Sequence, residues 1–172
     1  MGRKIVVVIL FLFIATSLFS NDSPLEIEGY YKSVDSRKGF TTSIMAVYLY
    51  KGTLYGRVIV AFDEKDGSLV DTYKNPTKRI DKLATKPLVS EIDIFWGHEL
   101  YKEIYTGGFV LDPRTGYKFK SDIWLENGKL VLKGKLGPFG VRQLFYPATE
   151  ADLPKGVTFP LLNSFKPNTI GS

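Results

Sequence analysis

From Tyr117 to Glu126 apolar and polar positions alternate without a break. Tyr117, Phe119, Ser121, Ile123 and Leu125 fall on one face, and Lys118, Lys120, Asp122, Trp124 and Glu126 on the other. A period of two is the signature of a strand with one buried face. Asn127-Gly128 follows, and a type I′ turn needs φ > 0 at both central positions, which this pair tolerates best. The alternation resumes with Leu130, Leu132, Gly134 and Leu136 against Lys129, Val131, Lys133 and Lys135, so 117–136 is predicted to be a β-hairpin. Similar patterning predicts strands near Leu25–Val34, Phe40–Tyr50, Thr53–Phe62, Val89–Phe95, Tyr101–Leu111 and Val141–Tyr146. Lys51-Gly52 reads as a tight turn, and Trp96-Gly97-His98-Glu99 as the tip of another hairpin. The result is an all-β chain of eight sequential antiparallel strands. Closing such a meander removes its edges, so an up-and-down barrel is the expected architecture.

Two segments break the rhythm. The connection from Asp63 to Leu88 is long and polar, with Lys74, Lys78, Arg79, Lys82 and Lys86 near its centre and a short helix expected around Thr77–Ala84. Long connections of this kind either cross the surface as solvated insertions or act as lids, and Lys78, Arg79 and Lys82 are the candidate lid cations. After Tyr146 the chain turns Pro-rich (Pro147, Pro154, Pro160, Pro167), which precludes continuous strand pairing. Residues 148–172 are therefore expected to form an extended tail laid over the domain, with Phe159, Leu161, Leu162 and Phe165 available to dock.

The N-terminus has a third pattern. Arg3 and Lys4 precede an unbroken apolar run, Ile5–Ile14, and then the small residues Ala15, Thr16, Ser17 and Ser20. That is the three-part plan of a secretory signal peptide. The run falls short of the roughly 20 residues that span a bilayer, so cleavage is expected rather than anchorage. Cleavage after Ser17 fits the small-x-small rule, whereas cleavage after Ser20 leaves the more polar start at Asn21; residues 1–20 are taken as the leader and 21–147 as the barrel domain. The formal net charge of +5 falls to +3 without Arg3 and Lys4. The remaining cations are scattered along strands and turns, which argues against nucleic acid as a partner. With no cysteine in the chain there is neither a disulfide framework nor a lipidated cysteine, and the fold must rest on its core.

Catalytic and metal chemistry are poorly represented. His98 is the sole histidine; without cysteines it forms no recognisable zinc or copper spacing, and no serine sits in a nucleophile elbow. His98 reads as an ordinary loop residue, and Asp112 in Asp112-Pro113-Arg114-Thr115-Gly116 as the cap of a turn. No enzymatic activity and no cofactor are expected. Glycines inside strands are more informative. Gly29, Gly56 and Gly134 fall in the inward register, and Gly107-Gly108 interrupts another strand. Such glycines either relieve the coiling of closed strands or leave room inside a barrel. By the first reading, a branched side chain at Gly134 is costly. By the second, a cavity is expected, lined by Tyr31, Tyr48, Tyr55, Phe119 and Ile123 and suited to one lipophilic ligand.

Gly107-Gly108-Phe109-Val110-Leu111-Asp112-Pro113-Arg114-Thr115-Gly116-Tyr117-Lys118-Phe119 resembles the "GG-x-I-x-DP-x-x-G-K-x-Y" block of the bacterial domain of unknown function 2147 family. Trp124-Leu125, Leu130 to Gly134, Leu136-Gly137 and Gly140-Val141-Arg142-Gln143 follow that family's closing pattern in order. Gly29-Tyr30-Tyr31-Lys32 stands where its opening strand does, and Lys86-Pro87-Leu88-Val89 resembles its mid-chain segment. The resemblance covers about residues 29–146. Tyr31 and Phe145 stand where tryptophans are usual, and the cysteine pair often found in the long loop is missing, which removes any disulfide or redox role. The resemblance implies an exported bacterial protein with a lipocalin-like barrel and no established reaction. It also implies a degenerate form of the lipocalin closure, Gly29-x-Tyr31 with Arg142 lying over the tyrosine ring.

A lipocalin-like binder of a small hydrophobic or amphipathic ligand is therefore expected, in the periplasm or outside the cell. The alternative is a non-catalytic envelope protein with a solid barrel and a protein partner. N-terminal sequencing of the protein from a cell-envelope fraction is expected to begin near Asn21; Met1 retained in an integral membrane fraction would overturn the leader.

Overall fold

The computed structural model describes residues 26–137 and 139–170; the expected leader, 1–20, lies outside the described residues. Nine strands form: β1 (Gly29–Val34), β2 (Thr41–Tyr50), β3 (Thr53–Phe62), β4 (Leu69–Thr72), β5 (Asp93–Tyr101), β6 (Ile104–Leu111), β7 (Lys118–Glu126), β8 (Lys129–Leu136) and β9 (Phe139–Pro147). Eight of them close antiparallel in the order β1-β2-β3-β5-β6-β7-β8-β9, with β9 returning to β1. β4 is an addition to the expected set; it pairs with the end of β3 outside the closed ring. The long connection carries no helix around 77–84. Instead Arg79 bridges Leu88, and Ile80 is buried beside Val89, Ile92 and Ile94. No described helix is long and apolar enough to cross a membrane.

The hairpin tip expected at 96–99 is mid-strand, and the chain actually reverses at Lys102-Glu103. Gly97 has φ 76°, and it lies where the β3–β5 register slips: Gly56 faces Phe95, but Leu54 faces His98. Gly97 thus supplies a bulge rather than a turn. The extra residue lets Phe95 and His98, three apart, both turn inward. A second slip, around Gly107, separates the pairs Tyr105–Ile123 and Gly108–Ser121 in β6–β7.

Besides the cluster around Ile80, which packs the long connection against Val58, Ile94 and Leu111 of β3, β5 and β6, the barrel has two cores. Inside, Tyr31, Met45, Val47, Leu54, Phe95, Tyr105, Ile123, Leu130, Leu132 and Phe145 pack together. Outside, Ile44, Ala46, Ile59 and Val60 of β2 and β3 form a second cluster with Tyr30, Tyr73, Phe159, Leu162 and Phe165. Strands β2 and β3 are therefore buried on both faces, and the second cover is the tail. From Ala148, whose N–H donates to the Tyr30 carbonyl at 2.8 Å, residues 148–170 cross the outer wall from β1 to β5. Asp152 pairs with Lys32, and the Tyr30 hydroxyl donates to the Pro160 carbonyl. Phe159 stacks on Tyr30 at 4.0 Å and Phe165 on Tyr48 at 5.1 Å.

The tail ends on a buried ionic latch. Asp93, with no exposed surface, accepts hydrogen bonds from the Tyr48 hydroxyl at 2.8 Å, Arg57 Nε at 3.0 Å, Arg57 Nη2 at 3.1 Å and the Asn168 N–H at 2.7 Å. Arg57 also donates to the Lys166 carbonyl at 2.8 Å and lies over the Phe165 ring. Burial raises the Asp93 pKa, against the opposing pull of Arg57, the Asn168 amide and Tyr48. Removing one partner of such a buried pair leaves an uncompensated charge, at a cost of about 3–5 kcal/mol. Asp93→Ala is expected to destabilise by that amount in chemical denaturation and to expose the Lys155–Gly156 peptide bond to trypsin. A tail still protected at native-like stability would mean that the latch is incidental.

Candidate functional site

The packed interior does not fill the barrel. At the end where the β1–β2, β3–β5, β6–β7 and β8–β9 connections lie, a cavity of about 350 Å³ remains. Met45, Phe95, Leu132 and Phe145 belong both to the inner core and to the cavity lining, so they are its floor. Val110, Phe119, Gly134 and Leu136 form walls from β6, β7 and β8, and Val141 and Gln143 line it from β9. Exposed Leu136 and Val141 stand at the opening with the Asp112-Pro113-Arg114 turn. The lining is largely apolar. Its polar members are Gln143 and the pair Asp112–Arg114, in which Arg114 Nε donates to Asp112 Oδ1 at 3.1 Å. Burial alone would raise the Asp112 pKa, but hydrogen bonds and charge from Arg114 outweigh it and hold the carboxyl below its ordinary value.

The strand glycines divide between the two expected roles. A Cβ on Gly56 would collide with the Phe95 ring, and one on Gly108 with the His98 imidazole. These glycines are sockets for inward rings. Gly134 differs: a Cβ there would meet nothing closer than Val110 Cγ1 at 3.8 Å and the Val141 carbonyl at 3.9 Å. Gly134 therefore leaves room, and the crowding expected there is absent.

Of the five expected lining residues, Phe119 lines the cavity. Tyr31 and Ile123 are inside the barrel but lie in its packed core, where the Tyr31 hydroxyl donates to the Ile27 carbonyl at 3.1 Å. Tyr48 and Tyr55 are not inside. They stack on each other at 5.6 Å on the outer face, where Phe165 lies against Tyr48. The reason is parity: Met45 and Val47 of β2 point inward, so Tyr48 points out. Lys78, Arg79 and Lys82 do not line the cavity. Arg79 and Lys82 are exposed, with Arg79 donating to the Lys86 carbonyl at 2.9 Å. The cation at the mouth is Arg114. The expected Arg142–Tyr31 closure does not form either. Arg142 pairs with Glu126 and lies over Trp124 at 5.7 Å, while Tyr31 faces Pro147, five positions further along β9. Gly29 is simply the first residue of β1, opposite Val47.

His98 also departs from expectation. It is fully buried rather than in a loop, with Nε2 at 2.8 Å from Ser121 Oγ and its ring edge-on to Phe95 at 5.7 Å. Nδ1 has no hydrogen-bond partner among the described residues. Among the described residues no acid holds that nitrogen, the place a base-orienting group would take. Desolvation, only partly offset by the charge of Asp122, lowers the His98 pKa to about 4.

A closed antiparallel barrel with a packed core and an apolar cavity at one end is a lipocalin-like fold. Protein HP1028 from the human pathogen Helicobacter pylori, whose structure is described as belonging to the lipocalin family, superposes with a TM-score of 0.53 at 18% identity, covering 74% of this chain and 86% of that one. The chain belongs to the family of uncharacterised proteins conserved in bacteria, DUF2147, whose model matches residues 29–146. No curated protein matches it in sequence.

The buried imidazole makes stability depend on pH. The unfolded chain takes up the His98 proton near pH 6.5, and the folded protein only near 4. His98 thus contributes stability above about pH 6.5 that is lost as pH falls towards 4, a loss on the order of 3 kcal/mol. Urea denaturation across this window is expected to show that slope in the protein and a flatter one in His98→Gln. Parallel slopes would place the acid sensitivity elsewhere.

Proposed function

We propose that the protein is an exported binder of one small, mostly apolar ligand, held in the barrel cavity and not chemically altered there. The observation that carries this reading is an apolar space of about 350 Å³ in a barrel where inward rings fill the places left by Gly56 and Gly108. Its size lies within the range of small-molecule sites, and Gly134 opens space where an ordinary side chain would fit without collision. The alternative, a solid barrel serving only as an envelope scaffold, requires a packed interior, and the void counts against it. Export to the periplasm or the medium rests on the leader pattern of residues 1–20.

The mouth carries a matched ion pair and a carboxamide rather than a lone cation, which favours a ligand whose polar end is neutral. The lid role proposed by charge for Lys78, Arg79 and Lys82 finds no support in the lining. A hydrophobic fluorescent probe is expected to bind about one-to-one, with an affinity indifferent to salt. Gly134→Leu is expected to fill the space, weaken the probe at least tenfold and leave the unfolding midpoint equal or higher. Absence of saturable binding by the unaltered protein would sink the ligand reading. Undiminished binding by Gly134→Leu would sink the assignment to this cavity.

A further inference from the structure

The rim of the cavity is apolar on the β7–β9 side, where among the described residues the barrel wall has no second layer. Tyr117 is 68% exposed, Leu136 51% and Val141 67%. Tyr117 lies edge-on to Phe119, and Leu136 and Val141 line the opening itself. The strands beside them present Lys118, Lys120, Lys133 and Lys135, all exposed. The acids of this sector are engaged: Asp122 with Lys135 at 2.9 Å and with the Thr106 hydroxyl at 2.6 Å, Asp112 with Arg114, and Glu126 with Arg142. Lys118, Lys120 and Lys133 have no carboxylate partner among the described residues, and Lys118 lies over the Phe109 ring. The opposite end offers a comparison. There Leu100, Tyr101 and Ile104 are also exposed, but the turn that carries them holds Glu99 and Glu103 against Lys102.

We infer that the β7–β9 side of the mouth docks on an anionic lipid surface, where the cavity exchanges its ligand. Exposed aromatic and aliphatic side chains fringed by long cations fit the headgroup boundary, since each lysine keeps its charge among phosphates while its stem covers apolar surface. Each lysine near such a surface is worth roughly fivefold in partitioning. The acidic turn at the other end is repelled by the same surface, so the charge selects which apolar patch meets the lipid. The inference rests on the cavity-binding reading for its purpose but not for its test.

The chain contains no cysteine, so a polarity-sensitive dye can be placed at single positions by Leu136→Cys, Val141→Cys and Tyr101→Cys. With vesicles containing anionic phosphatidylglycerol, dyes at 136 and 141 are expected to shift to the blue and the dye at 101 to stay unchanged. The shift is expected to vanish with neutral phosphatidylcholine vesicles, in high salt, and in Lys118→Glu/Lys133→Glu, whose fold is checked by circular dichroism. Equal shifts at 101 and 136, or none at 136, would overturn the docking surface. A shift without vesicles that grows with protein concentration would identify a second copy of the chain as the occupant and overturn it too. Probe titration in solution separates the two readings. Saturable binding without rim insertion removes the docking surface alone; rim insertion without binding removes the cavity reading alone.

Discussion

Four donors from three parts of the chain converge on Asp93, a carboxylate on β5 with no exposed surface. Tyr48 comes from β2, Arg57 from β3 and the Asn168 amide from the tail. A buried charge is tolerated only when its neighbours satisfy it, so the latch is satisfied only when β2, β3, β5 and the tail are all in place. It therefore couples closure of the barrel to docking of the tail. The barrel needs that help. Its closing seam pairs only Tyr31 with Pro147 and Lys32 with Tyr146, and the tail reinforces it through Ala148, Asp152 and Pro160. A chain without disulfides gains in this way a second layer of burial on the wall that would otherwise be held by two residue pairs.

The two-sided wall explains which features were legible in the sequence. Strands β7 and β8 face solvent on one side, so their alternation is clean and their register could be read directly. Strands β2 and β3 contain continuous apolar runs, Ile44–Tyr48 and Val58–Phe62. A continuous run is what burial on both faces produces, but it erases the parity that tells inside from outside. That is why Tyr48 reads as interior when it lies against Phe165 of the tail; Tyr55, outside those runs, faces out because its neighbours Leu54 and Gly56 face in. The run itself was the available signal: it called for a second covering layer, and the Phe and Leu residues of the tail were there to supply one.

Glycine was the other source of difficulty, because one residue type serves three physical ends here. Gly97 bends a strand at a bulge, Gly56 and Gly108 accept rings from a neighbouring strand, and Gly134 leaves space. Sequence context identifies none of these alone. Gly97 resembled a turn because it follows an aromatic run and precedes polar residues. Its bulge moved His98 from an expected loop into the core. The ring that fills a glycine socket comes from another strand, so the socket becomes readable only once the strand register is known. Phe119 borders the cavity, and its inward position is readable because its strand alternates without a bulge.

The cavity lies where these constraints are weakest. Its floor rests on Met45 and Phe95 of the inner core, from strands whose outer side is tied to the tail and the Asp93 latch. Its walls come mainly from β6 to β9; the long connection packs against the end of β6, but among the described residues no segment covers the outer side of β7 to β9. Opening a single-layered wall disturbs fewer buried contacts than opening a doubled one, and local opening follows the regions of lowest contact density. Opening the barrel on the β7–β9 side therefore costs less than opening it at β2 and β3. The same division places the apolar rim and its lysines on the wall able to move. On the binding reading proposed above, a rigid half supports the binding surface while the less covered half admits the ligand.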